Sequence, residues 1–131
     1  MAATMVTQSD QLEDRLIEFA VSVVCLTAEL PRSPAGKHIA LQILRSGTSP
    51  APNYAEARGA ESRADFVHKM AIVQKELNET AVWLKMLQRI VAEKAENIVG
   101  ILAENRELAR IITASLKTAR ERLRERSFND K

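Results

Sequence analysis

Few residues in this 131-residue sequence could do chemistry, and most of those lack the neighbours that chemistry needs. Bundles of helices that hold paired metals use a Glu from each of two helices and a Glu-x-x-His from each of the other two. The two histidines are His38 and His68; Asp65 stands three residues before His68, but Ala35 stands three before His38. Half of a dinuclear site is therefore missing, and Asp65 reads as an N-terminal helix charge with His68 as a partly exposed surface residue. The single cysteine, Cys25, lies between Val24 and Leu26 and reads as a buried thiol without a base to activate it. No glycine-rich phosphate loop, nucleophile elbow or paired-cysteine zinc pattern occurs. The expectation is a protein that is not an enzyme, with no catalytic residue, no metal and no cofactor.

The chemistry that remains is charge. Arg106, Arg110, Lys117, Arg120 and Arg124 fall within an arc of about 80° when wound at about 100° per residue, opposite Leu108, Ile112, Ala119 and Leu123. At about 1.5 Å per residue they make one row about 27 Å long, which suits several successive phosphates of RNA or DNA. Arg122 and Arg126 lie off the row, and Glu121 and Glu125 border it. The plainer reading is a solvated face whose cations suit the C-terminal end of a helix dipole. A second cluster, Asn53, Tyr54 and Glu56, follows two prolines. Asn53 and Glu56 are expected to be structural, with Asn53 bonded to backbone or to a polar residue such as Glu79; a ligand site is the alternative.

The elements that carry these residues are helices. Aromatic residues are 4% of the chain, with four Gly and four Pro, too few for a turn-punctuated β-sandwich or barrel. At 46% apolar, the chain can bury one core. Asp10 and Glu13 have capping-box spacing, and Leu12, Leu16, Phe19, Val23, Leu26 and Leu30 recur at steps of four and three up to Pro31. Ser33 then caps a second helix with Pro34 at its first position. That helix must bend between Gly47 and Pro52, as one kinked rod or two short coaxial ones, because each proline removes a donor. Ser62 and Asp65 open a third helix with Phe66, Met70, Val73, Leu77, Thr80, Leu84, Leu87 and Val91 in heptads. After a connection at residues 92–96, a fourth carries Ile98, Ile101, Leu102, Leu108, Ile112 and Leu116 inward.

These elements predict an all-α, antiparallel up-and-down four-helix bundle over residues 10–126, with a frayed leader at 1–9 and a frayed tail at 127–131. A second stripe on the third helix, Ile72, Glu79, Trp83, Met86 and Ile90, exceeds what one core requires, as do Ile17, Ala20, Val21 and Val24 on the first. The expected use is an oligomer interface; the alternative is that Trp83 and Met86 widen a single core. Nothing in the chain is apolar for the roughly 20 residues that span a bilayer. The residues before Phe19 carry the wrong charge for a secretory signal, so no membrane association and a cytoplasmic location are expected. A net charge of +2 names no partner.

The run Arg45-Ser46-Gly47-Thr48-Ser49-Pro50-Ala51-Pro52-Asn53-Tyr54-Ala55-Glu56-Ala57 is followed by Ser62-Arg63-Ala64-Asp65-Phe66, Lys75-Glu76-Leu77-Asn78-Glu79-Thr80 and Trp83-Leu84. Together these segments resemble the small bacterial four-helix bundle proteins related to those encoded by intervening sequences in large-subunit ribosomal RNA genes. The resemblance runs from about Leu12 to Leu123 and implies an up-and-down bundle assembled as a homopentamer. The accessory variability determinant of diversity-generating retroelements is similar in fold, and is a basic pentamer that binds nucleic acid and a reverse transcriptase. Two functions follow as expectations. One is an oligomeric scaffold or adaptor that binds RNA or DNA weakly, with a protein partner such as a nucleic-acid enzyme. The other is a protein–protein interaction module without nucleic-acid affinity.

Overall fold

The computed structural model describes residues 5–129. Five α-helices follow one another: α1 (Gln8–Ala28), α2 (Pro34–Thr48), α3 (Pro50–Arg58), α4 (Arg63–Ile90) and α5 (Ala95–Asn129), with a 3-10 turn at Ala92–Lys94 before α5. The described residues contain no strand. α2 and α3 are two halves of one bent rod, so the bundle has four members in up-and-down order. The rod packs on both α1 and α4, α4 packs along α5, and α1 closes the ring against α5.

Helix α1 begins earlier than the Asp10–Glu13 spacing suggests. Thr7 is the N-cap: its hydroxyl accepts the Asp10 amide at 3.0 Å, and the Asp10 carboxylate accepts the Thr7 amide at 3.0 Å. Gln8 and Ser9, expected in a frayed leader, are therefore helical. At the other end, helix continues through residues 127–129, where a frayed tail was expected; residues 5–7 are exposed and outside any helix, and 1–4 and 130–131 lie outside the described residues. Arg58 of α3 reaches the same end of α1, with Nη2 2.8 Å from Asp10. The Thr7 amide, and after it Arg58, hold the Asp10 carboxyl at about 2, down from an ordinary 3.8. A lowered folded-state pKa lends stability above the ordinary value and loses it as pH falls toward the folded one. The melting-temperature advantage of wild type over Asp10→Asn should accordingly shrink between about pH 4 and about pH 2. A constant difference across that window would remove Asp10 as an acid-sensitive cap.

The core is built from the inward stripes: Leu16, Phe19, Val23 and Leu26 of α1, Ile39 and Ile43 of α2, Met70 through Leu87 of α4, and Ile98 through Leu116 of α5. Cys25 is exposed, not buried. Leu16, Phe19, Val23 and Leu26 already take the inward face, and position 25 falls on the far side of the helix from it.

Three buried polar residues cross-link the rods. The Thr80 hydroxyl of α4 donates to the Glu76 carbonyl at 2.7 Å and lies 2.9 Å from the Ser46 hydroxyl of α2. Asn105 Nδ2 of α5 donates to the Leu77 carbonyl of α4 at 3.0 Å. Every such group is paired, as burial demands.

The bend falls at Ser49. Pro50 and Pro52 supply no N–H to the carbonyls of Ser46 and Thr48, yet the Ser49 amide still reaches the Arg45 carbonyl at 3.2 Å. The Asn53 amide likewise bonds the Ser49 carbonyl at 3.2 Å. The rod thus bends without separating into unrelated helices.

Candidate nucleic-acid interface

Helix α5 is 35 residues long, and its last buried residue is Leu116. Beyond that point the inward stripe continues only as Ala119 and Leu123, both half-buried. This segment carries Lys117, Arg120, Arg122, Arg124 and Arg126 against Glu121 and Glu125. Arg106, Arg110, Lys117, Arg120 and Arg124 are all exposed, on the side of α5 opposite the fully buried Leu108, Ile112 and Leu116.

One member of the row is already engaged. The Arg110 fork meets both oxygens of Glu107, Nη2 to Oε1 at 2.6 Å and Nε to Oε2 at 3.2 Å. The pair lowers the Glu107 carboxyl below its usual range and raises the Arg110 guanidinium. Among the described residues, Arg106, Lys117, Arg120 and Arg124 have no carboxylate within ion-pair distance. Such a row can attract an extended anion at its surface; it has no concavity for a small one.

The stripe on α4 divides into two parts. Ile72, Glu79 and Trp83 are half-buried, while Met86 and Ile90 are 42% and 60% exposed. Glu79 is bound within the chain: it pairs with Arg45 of α2 and accepts the Trp83 indole N–H at 3.2 Å. Arg45 also reaches Glu76 at 3.0 Å. The Trp83 ring meets His38 of α2 edge to face, centroids 6.1 Å apart. Only the Met86–Ile90 end of the stripe, joined by Val82, keeps an open apolar face, as do Ile17, Val21 and Val24 on α1.

The bend residues are not brought together into one site. Asn53 Nδ2 donates to the Ser49 carbonyl at 3.0 Å and to its hydroxyl at 2.9 Å, a backbone partner one turn back, with Glu79 occupied elsewhere. Glu56 points outward and pairs with Lys69 of α4 at 2.6 Å. Tyr54 between them is buried. The Glu79–Trp83 pair is one turn apart on α4, but periodicity could not have disclosed the links from Arg45 to Glu76 and Glu79, because the adjacency of α2 and α4 is a tertiary fact.

Among the described residues no three His, Cys, Asp or Glu side chains cluster as a metal site would require. No helix among them is long and apolar enough to cross a membrane.

A family model described as 23S rRNA-intervening sequence protein matches residues 11–114. A crystal structure from Bacteroides thetaiotaomicron, of a protein with unknown function from the S23 ribosomal protein family, is 36% identical to the chain. It superposes with a TM-score of 0.77, covering 85% of this chain and 99% of that one. No curated protein matches the chain.

Proposed function

Since the chain belongs to the 23S rRNA-intervening sequence protein family, we propose that it is a non-enzymatic, oligomeric scaffold or adaptor. In this reading it works in the cytoplasm and holds RNA or DNA weakly through the outer face of α5. The observation that carries the reading is the row from Arg106 to Arg124. Its five cations are exposed on one helix face, and four of them are without an acidic partner among the described residues. Phosphate contacts of this kind give affinity without base discrimination.

One row is too little charge for useful binding at physiological salt, so repetition around an assembly is part of the proposal. The open apolar residues Val82, Met86 and Ile90 on α4 and Ile17, Val21 and Val24 on α1 support contact between copies, since apolar stripes of this kind are seldom left in water. A homopentamer is the assembly that the family resemblance implies, and a nucleic-acid enzyme is the kind of protein partner it would present to RNA or DNA.

The test joins charge and assembly. Arg110→Glu with Lys117→Glu should weaken binding to single-stranded RNA and to duplex DNA alike, whatever their sequence. It should flatten the slope of log affinity against log salt by about 1–2, the share of two phosphate contacts. Melting should barely change, because both side chains are solvated. Met86→Glu with Ile90→Glu should yield a soluble species of lower mass by light scattering and lose binding with it.

Arg110's pairing with Glu107 and the flanking Glu121 and Glu125 favour the second reading, a protein–protein interaction module. Wild-type protein that is not retained on nucleic acid even at low salt would establish that reading in place of the first.

A further inference from the structure

We infer that a cleft at one end of the bundle, on the other side of α5 from the basic row, binds an organic phosphate monoester. The cleft has a volume of about 670 Å³ and opens between the start of α1, the end of α3, the start of α4 and the free end of α5. Four arginines line it, Arg58, Arg63, Arg122 and Arg126, against one acid, Glu61. Arg58 is occupied by Asp10 and Glu13. Arg63, Arg122 and Arg126 have no carboxylate within ion-pair distance among the described residues. They come from two helices, and Arg122 and Arg126 point about 160–200° around α5 from Arg106 and Arg124.

Tyr54 is the independent observation. The residue is only 5% exposed and lines the cleft, yet its hydroxyl makes no hydrogen bond to any described residue. It is also not among atoms sealed from solvent without a partner, since there are none. The phenol O–H therefore keeps contact with solvent where this cleft adjoins a second one lined by Gln8, Gln11 and Arg15, and is a donor without a protein acceptor among the described residues. The start of α4 adds to it. Ser62 caps that helix by accepting the Asp65 amide at 3.1 Å, and the amides of Arg63 and Ala64 remain without intrahelical partners at the positive end of a 28-residue helix.

These donors select the ligand. Guanidinium forks pair best with planar or tetrahedral oxyanions, and a phosphate monoester brings nearly two charges and three terminal oxygens, where a diester brings one charge. The cleft is also far larger than a bare oxyanion, within the size range of small-ligand sites, and Phe66, Ala57 and Ala119 give it apolar walls. The ester therefore carries an organic body. Two sources share this chemistry: a free mononucleotide-sized ester and the 5′-phosphorylated end of an RNA strand.

Calorimetric titration of the full chain distinguishes them. The probes are AMP, adenosine, and one hexaribonucleotide with either a 5′-phosphate or a 5′-hydroxyl. Wild type should bind a phosphorylated probe saturably and its unphosphorylated counterpart at least tenfold more weakly. Preference for AMP points to the free ester, and preference confined to the phosphorylated oligonucleotide points to the strand end; either supports the site. Tyr54→Phe keeps the buried ring and should cost about tenfold in affinity, while Arg122→Ala with Arg126→Ala should cost about a hundredfold with unchanged melting. The inference is overturned if phosphorylated and unphosphorylated probes bind alike, or if all three substitutions leave the affinity at its wild-type value.

Discussion

Gly36→Ala should lower the melting temperature by about 10–15 °C, a large effect for one methyl group. A Cβ at this position would lie 2.0 Å from the Pro31 carbonyl oxygen and 2.9 Å from its carbon. Both are backbone atoms, so no side-chain rotation can relieve the collision. The third neighbour is the Ser33 hydroxyl at 3.2 Å, the same oxygen that accepts the Gly36 amide at 3.1 Å and caps α2. To admit the methyl, the turn between α1 and α2 must open, lose its cap and loosen the buried Leu30. Overpacking and cap loss together cost about 3–4 kcal/mol. Gly100→Ala is the matched control: nothing lies within 4 Å of its Cβ position, in the second turn of α5. There the methyl should stabilise by about 0.5–1 kcal/mol through the unfolded chain alone. Circular-dichroism melts of the two variants should therefore move in opposite directions. A Gly36→Ala protein melting within a few degrees of wild type would mean that the turn yields without cost.

Gly47→Ala tests the closest approach of two rods. Its Cβ would lie 2.8 Å from both γ-carbons of Val23 on α1 and 3.1 Å from the Val23 Cβ. Val23 is fully buried, and a valine in a helix has essentially one χ1 rotamer, so it cannot turn aside. The helices must move apart by several tenths of an ångström, disturbing the contacts of Phe19 and Ile43 beside them. The cost should be about 2–3 kcal/mol, or about 8–12 °C in melting temperature. Val23→Ala alone should also destabilise, by leaving a cavity. Combined, the two changes should cost less than their sum by about 1–2 kcal/mol, because the second makes the room that the first needs. Strict additivity would show that Gly47 is not held to glycine by Val23.

The helices themselves were legible in the order of residues. Steps of three and four placed Leu16, Phe19, Val23 and Leu26 inward, and Ser33 with Pro34 and Ser62 with Asp65 marked two helix starts that the structure keeps. Pro50 and Pro52 announced the bend for the same reason: the missing amides are covalent facts. All of these depend on neighbours within about one turn, which any reader of the chain can see. Competition between nearby residues was already harder. Thr7 and Asp10 both have the chemistry of a cap, and Thr7 holds the position because its hydroxyl and the Asp10 carboxylate satisfy two amides at once. Cys25 lies beside core residues in sequence but outside them in space.

What tertiary structure alone decided is which rods meet and where each one ends. Glu79 became the partner of Arg45 because α2 lies against α4. Tyr54 was hidden yet left with a free hydroxyl because α3 ends beside the starts of α1 and α4. Arg122 and Arg126, set apart from the basic row by their angle, share a cleft with Arg63 because the end of α5 lies beside the start of α4. Helical period is a local property of the backbone; the convergence of side chains from four rods depends on packing between residues tens of positions apart, and no local pattern encodes it.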